Sequence, residues 1–274
     1  MLTTDKHIKQ FSIFYLACFV GYYAWSCWYG LTFFQIKPVF FYNQLDFTGN
    51  LILLTGIHLP LLHNSGVRIL FDAIYLILPF ITTLFVLKNS RFQSLSAILM
   101  LLFNLLYAFC FSIMSFVSIK VMLAFMTVPF IFMFRKPKDF SFAIESIRIL
   151  FILFFFSTAV WKIRAGGIFN IDQMSGILLG QHNYLFLNKY PGGFKDIIGY
   201  LIERPQLSYF LYLAAFSAEF IFIIGFFTKR FDKLLIVLFI LFALFNYMLM
   251  NINYFSWLPF AGCLYFAKFT QTNK

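Results

Sequence analysis

The chain has 274 residues, 62% of them hydrophobic and only 11% charged, less than half of the roughly 25% charged content of an ordinary soluble domain. Too few polar side chains are present to cover a water-facing surface, which excludes a soluble globular fold. The net charge of +11 is not a nucleic-acid signature, because Lys and Arg sit in the short connections between apolar runs. Membrane lipid is the expected partner and nucleic acid is not.

In chain order, Lys6 and Lys9 precede an apolar run over 11–34. It is longer and more aromatic than a signal-peptide core and has no small-residue cleavage site, so it reads as the first span. The stretch 51–62 is apolar, but Gly56, His58 and Pro60 interrupt it, and its length fits an interfacial or re-entrant segment. Spans are then expected at 69–86, 95–117, 121–134, 147–163, 207–227, 234–250 and 254–269. The fold class is all-α: a polytopic transmembrane helical bundle of about eight spans (six to eight), forming a single integral membrane domain over 1–274. The range comes from the fourth and eighth runs, which are short for a hydrocarbon core of about 30 Å and contain Pro129 and Pro259.

In the eight-span arrangement thirteen of the 21 Lys and Arg fall on the side of the N-terminus and eight on the other. Five of those eight lie in or beside one long loop, where charge counts for less, so both termini are placed in the cytoplasm. That long outer loop, 164–206, holds Gly166-Gly167, Gly176, Gly180, Pro191-Gly192-Gly193 and Pro205. Segments 171–179 and 194–202 are expected to be short amphipathic helices on the outer surface, with Asp172 and Asp196 near their starts, where the helix dipole favours anions. They make either a lid or a structural cap.

The 43 phenylalanines read as bulk hydrophobe. Cys18, Cys27, Cys110 and Cys263 fall in apolar runs without CxxC spacing, and His58, His63 and His182 show no ligand spacing. No metal site is expected. No phosphate loop or nucleophile elbow occurs either.

An ionisable group inside a span costs about 3 kcal/mol or more unless paired, so such groups carry the chemistry. Glu219 is the clear case, flanked by Ala214, Ala215, Ser217 and Ala218, which let another helix approach. It is either a ligand anchor or proton carrier, or a helix-packing acid. Lys162 and Arg164 close the fifth span, where a long cation can snorkel to the interface. Beside Trp161, an inward-pointing Lys162 would instead be a desolvated amine able to act as a base. Asn246 is a polar group within the seventh span, serving either a ligand or an interhelical hydrogen bond.

Over about 145–270 the order of features resembles the HTTM superfamily, the membrane domain of vitamin K-dependent gamma-carboxylase and its bacterial relatives. The resemblance is carried by Ser157-Thr158-Ala159-Val160-Trp161-Lys162-Ile163, then Gly176, Glu219, Thr228-Lys229-Arg230, Phe245-Asn246, and Met250-Asn251-Ile252-Asn253-Tyr254-Phe255-Ser256-Trp257. It implies that Lys162 matches the family's catalytic base and that Glu219, Asn246 and Trp161 bind the ligand, a quinone-like molecule. The family often has histidine where Asn246 stands, the spacing from Lys162 to Glu219 is stretched, and the carboxylase's soluble portion does not follow, so peptide carboxylation is not expected. DoxX-like and MauE-like quinone-associated proteins share the layout, as does the SdpB-like group linked to maturation of secreted peptides. Two functions are thus expected: an outer-leaflet quinone or lipid site with possible redox or oxygenation chemistry, or a non-enzymatic accessory factor whose partner is a secreted peptide or membrane protein. The expected location is the bacterial cytoplasmic (inner) membrane.

Overall fold

The computed structural model describes residues 2–37, 47–115, 122–187 and 192–270. Lys120, Lys189 and Lys274 of the charge count, Pro191 of the outer loop and the expected span ends Val117 and Val121 lie outside the described residues. Among the described residues every regular element is helical, and the chain is an all-α bundle. Six helices are long and apolar enough to cross a membrane, which makes the protein a multi-pass integral membrane protein in contact with lipid. Backbone contacts divide the chain into two compact units, Met1–Arg148 with Phe255–Lys274, and Ile149–Tyr254.

In the first unit, α1 (Leu2–Trp28) stops six residues short of the expected 11–34 span. Gly30 turns the chain there, at φ +70° in the left-handed region. The interrupted stretch 51–62 forms two short helices, α2 (Phe47–Thr55) and α3 (His58–His63). α4 (Ser65–Leu87) begins at Asn64, whose side chain accepts from the Gly66 and Val67 amides. α5 (Gln93–Ser115) follows after a turn with Asn89 at φ +49°.

The fourth apolar run is not a full span. It forms α6 (Leu123–Thr127) and then a 3₁₀ segment, Val128–Met133, because Pro129 has no amide to continue the α-helical ladder. Tighter helix leaves carbonyls that hydrocarbon cannot satisfy, and α5 supplies the missing donors. Gln93 donates to the Phe132 carbonyl at 3.0 Å, Ser94 to Met133 at 2.6 Å and Asn104 to Phe125 at 2.7 Å. These contacts run antiparallel along eleven residues of α5, about 16 Å, half a bilayer. The eighth run is likewise short: a 3₁₀ turn at Phe255–Trp257, then α13 (Leu258–Phe266), with Pro259 in its first turn. α13 meets α1 through Phe266, which packs edge-on against Phe11, and through Gly262, where an added Cβ would run into the Phe14 ring.

α7 (Pro137–Arg164) is 28 residues long, ten residues longer at its start than the expected 147–163, and its stretch from Ile149 onward opens the second unit. Gly166, at φ +74°, ends it. The outer loop then folds as α8 (Gln173–Leu187) and α9 (Gly193–Glu203), followed by α10 (Pro205–Ile221), α11 (Ile224–Phe227) and α12 (Asp232–Met250). Phe155 stacks on Phe222 at 4.4 Å and meets Phe242 edge-on at 5.3 Å, so α7 wedges its aromatic face against both α10 and α12. Met174, Leu178, Ile198, Leu201 and Tyr212 form a separate buried cluster that seats α8 and α9 on α10. Gln181 and His182 reach further, donating to the Met250 and Leu249 carbonyls at the end of α12, where the helix leaves orphan acceptors.

Candidate functional site

Lys162 lies two residues before the end of α7, with Thr158 one turn earlier on the same face; Tyr212 and Glu219, seven apart, share a face of α10. The fold brings these faces together. Lys162 Nζ stands 2.8 Å from Glu219 Oε2, with the lysine side chain 23% exposed and the glutamate 5%. Lys162 therefore turns inward rather than snorkelling, and Glu219 is one half of an ion pair. The ammonium also sits 5.1 Å from the centre of the Tyr212 ring, a cation–π contact. Thr158, whose hydroxyl donates to the Phe155 carbonyl at 2.7 Å, lies beside the Glu219 carboxylate, and Tyr254 is close enough to sense its charge.

Aromatic hydroxyls of α10 set the position of the α7 terminus. Tyr209 donates to the Ile168 carbonyl, and a Cβ on Gly167 would stand 2.6 Å from the Tyr212 hydroxyl oxygen, so a larger residue there would push the Tyr212 side chain aside. The pair's position along α7 follows from the helix rise. Gly225 packs between Ile152 and Leu235, four residues before the basic Lys229-Arg230 turn. Lys162 is ten residues beyond Ile152, about 15 Å further along α7 and close to the end of that helix. Burying two charges there is tolerated because each is the other's partner.

The remaining expected site residues are not joined to this pair. Trp161 is 62% exposed, and Arg164 lies over its ring at 5.3 Å, so both point away from Glu219 as an interfacial aromatic and its snorkelling cation. Asn246 donates to the Phe242 carbonyl of its own helix at 2.8 Å. It does line a cleft of about 190 Å³ between α10 and α12, walled by Ala214, Ala215, Ala218, Leu238 and Phe242 among others. Phe242 is shared: one side faces the cleft and the ring contacts Phe155 and Tyr254 on the side of the ion pair.

Glu219 is not the sole buried carboxylate inside a span. Asp72 in α4 is 2% exposed and accepts from the Phe33 amide at 3.2 Å, the Phe34 amide at 2.8 Å and the Tyr107 hydroxyl at 2.7 Å. Tyr107 is in turn stacked on Tyr75 at 3.8 Å. This carboxylate anchors the turn after α1 through three donors. Its sequence signal was an aspartate within the 69–86 apolar run; its partners, more than thirty positions away, left no local pattern. Tyr212 was equally silent, though its spacing from Glu219 was there to be read.

No family model, no curated protein and no solved structure matches this chain. Functional inference therefore rests on the site's own geometry.

Proposed function

We propose that the protein is a bacterial inner-membrane protein of the HTTM, vitamin K-dependent carboxylase-like type that binds a quinone-like or lipid ligand in its outer leaflet. Lys162 and Glu219 are the polar anchor; Asn246 and Trp161, which the fold does not join to the pair, are left out of it. The observation that carries this reading is the 2.8 Å ion pair between α7 and α10, two helices apolar enough to span a membrane, with the Glu219 side chain 5% exposed. Such a pair gives a largely apolar ligand a single strong hydrogen-bonding point, as ligand sites with few polar groups do. The outer placement follows from the bias of Lys and Arg in the connections.

The pair holds one exchangeable proton between two sites. As ammonium and carboxylate it donates to a ligand carbonyl oxygen; with the proton on Glu219, Lys162 is a neutral amine able to take the proton of a ligand hydroxyl. Redox or oxygenation chemistry on a bound hydroquinone would use the second form, with Lys162 as base and Glu219 holding the displaced proton. The alternative function, a non-enzymatic accessory factor for maturation or export of a secreted peptide, is favoured by the small opening at Glu219, 4% exposed, which suits a clamp between helices.

Mass spectrometry of lipid extracts from the purified protein separates the two. A quinone or lipid retained by the wild type and lost from both Lys162→Ala and Glu219→Gln supports the ligand site. Equal extracts from all three proteins, each still folded, overturn it and leave the accessory role.

A further inference from the structure

We infer that the first unit carries, at its membrane boundary, a binding site for the headgroup of an anionic phospholipid with two phosphates, formed where the turn from α4 to α5 meets the start of α7. The site involves neither Lys162 nor Glu219 and does not depend on the reading above. The segment 88–91 supplies Lys88 and Arg91, and the segment 135–139 supplies Arg135, Lys136 and Lys138, with Asp139 the one acid of the two segments. All five cations are exposed. Among the described residues none of the five is ion-paired with a carboxylate. The patch is thus strongly positive and its charges are free to meet an anion.

Tertiary structure, and not chain order, joins the two segments. Arg135 donates to the Asn89 carbonyl at 3.2 Å across 46 positions of sequence, and the bonds from Gln93 and Ser94 to the Phe132 and Met133 carbonyls hold the same register deeper in the bundle. Insertion topology accounts for Lys and Arg in short connections, but it does not require two connections to converge on one spot. Each segment brings one arginine flanked by lysine, and an arginine fork takes two oxygens of a single phosphate, so the pair of segments matches two phosphates. The bond to Asn89 fixes the Arg135 guanidinium and leaves its other donors for the ligand. Just inside the charges the surface turns apolar. Phe142, one turn beyond Lys138 on the same face of α7, is 73% exposed, and Leu95 in the first turn of α5 is 54% exposed. Both belong to helices apolar enough to span a membrane, so they face acyl chains directly below the cations. A lipid meets both layers, phosphates to cations and chains to Phe142 and Leu95, whereas a soluble phosphate meets only the first.

The test is native mass spectrometry of the full chain, delipidated in detergent and titrated with cardiolipin. Saturable binding of one cardiolipin is expected, weakened about tenfold or more in the double variant Arg91→Gln, Arg135→Gln. The double variant Arg230→Gln, Lys233→Gln, which removes the same charge from the connection between α11 and α12, is expected to bind as wild type does. Equal weakening in both double variants means diffuse attraction to basic connections and overturns the site, as does binding that never saturates. Phosphatidylglycerol bound as tightly as cardiolipin overturns the two-phosphate occupant, and displacement of cardiolipin by excess glycerol phosphate overturns a lipid as the source of the headgroup. Should the first double variant fail to fold, Arg91→Gln alone decides: its guanidinium lies over the exposed Phe92 ring at 4.9 Å, and an affinity unchanged by its removal overturns the site.

Discussion

Removing the carboxylate of Glu219 takes the ion-pair partner from the Lys162 ammonium and leaves it beside the Tyr212 ring. Glu219→Ala is expected to destabilise the protein by about 3 kcal/mol, the low end for a broken buried pair because Lys162 keeps some exposure. The double variant Lys162→Met, Glu219→Leu removes both charges and is expected to recover most of that loss while abolishing ligand retention. Thermal unfolding in detergent checks the first statement, and extract analysis the second. A double variant no more stable than Glu219→Ala contradicts the pairing. For Asp72 the order is set by donors left orphaned: Asp72→Ala strands two amides and a hydroxyl, whereas Tyr107→Phe removes one bond and costs about 1 kcal/mol. Denaturation midpoints should fall in the order wild type, Tyr107→Phe, Asp72→Ala. Glu219 and Lys162 were visible in the sequence as ionisable groups in or at the end of apolar runs. That they share a site was implied by the resemblance alone; no local pattern pairs them, because the contact joins α7 and α10 across the whole outer loop.

Helices longer than a bilayer crossing were plain from their apolar runs, and their ends were misplaced where a single residue decides. Gly30 cuts α1 short of 34, and the amphipathic start of α7 at Pro137 lies beyond its purely apolar part. The half-length fourth run was flagged by Pro129, but its support by Gln93, Ser94 and Asn104 depends on the register of α5, which hydropathy does not encode. Asn104→Leu raises the hydropathy of α5, which hydropathy alone would count as neutral or favourable, and removes the donor to Phe125, so it should cost about 1–2 kcal/mol while leaving helix content unchanged. Circular dichroism and thermal unfolding read the two effects separately. A variant as stable as wild type would mean that the 3₁₀ segment does not depend on α5 for its carbonyls. In the outer loop, two short helices were expected and two are present, although α8 runs on to Leu187, with His182 at a kink.

For the molecule as a whole, composition alone was enough to establish a membrane bundle, since nothing else accommodates 62% hydrophobic residues. Among the described residues six long helices and two short apolar segments answer to the eight expected runs, the short ones being the fourth and eighth, which contain Pro129 and Pro259. The bias of Lys and Arg makes an accessibility prediction: in a background with the four cysteines replaced by serine, Lys229→Cys should react with an impermeant maleimide only after the cells are opened, and Gly192→Cys in intact cells. The reverse pattern would place the ligand site on the cytoplasmic side. The account stands or falls on whether the Lys162–Glu219 pair holds a ligand, and the most direct measurement is a titration of the nanodisc-embedded protein with a tailless naphthoquinone, followed by quenching of Trp161 in a background where the other three tryptophans are phenylalanine. Saturable quenching in that background, abolished by Glu219→Gln and by Lys162→Ala, is the predicted result. Quenching that rises without saturation, or that is the same in all three proteins, would contradict a ligand site at the pair.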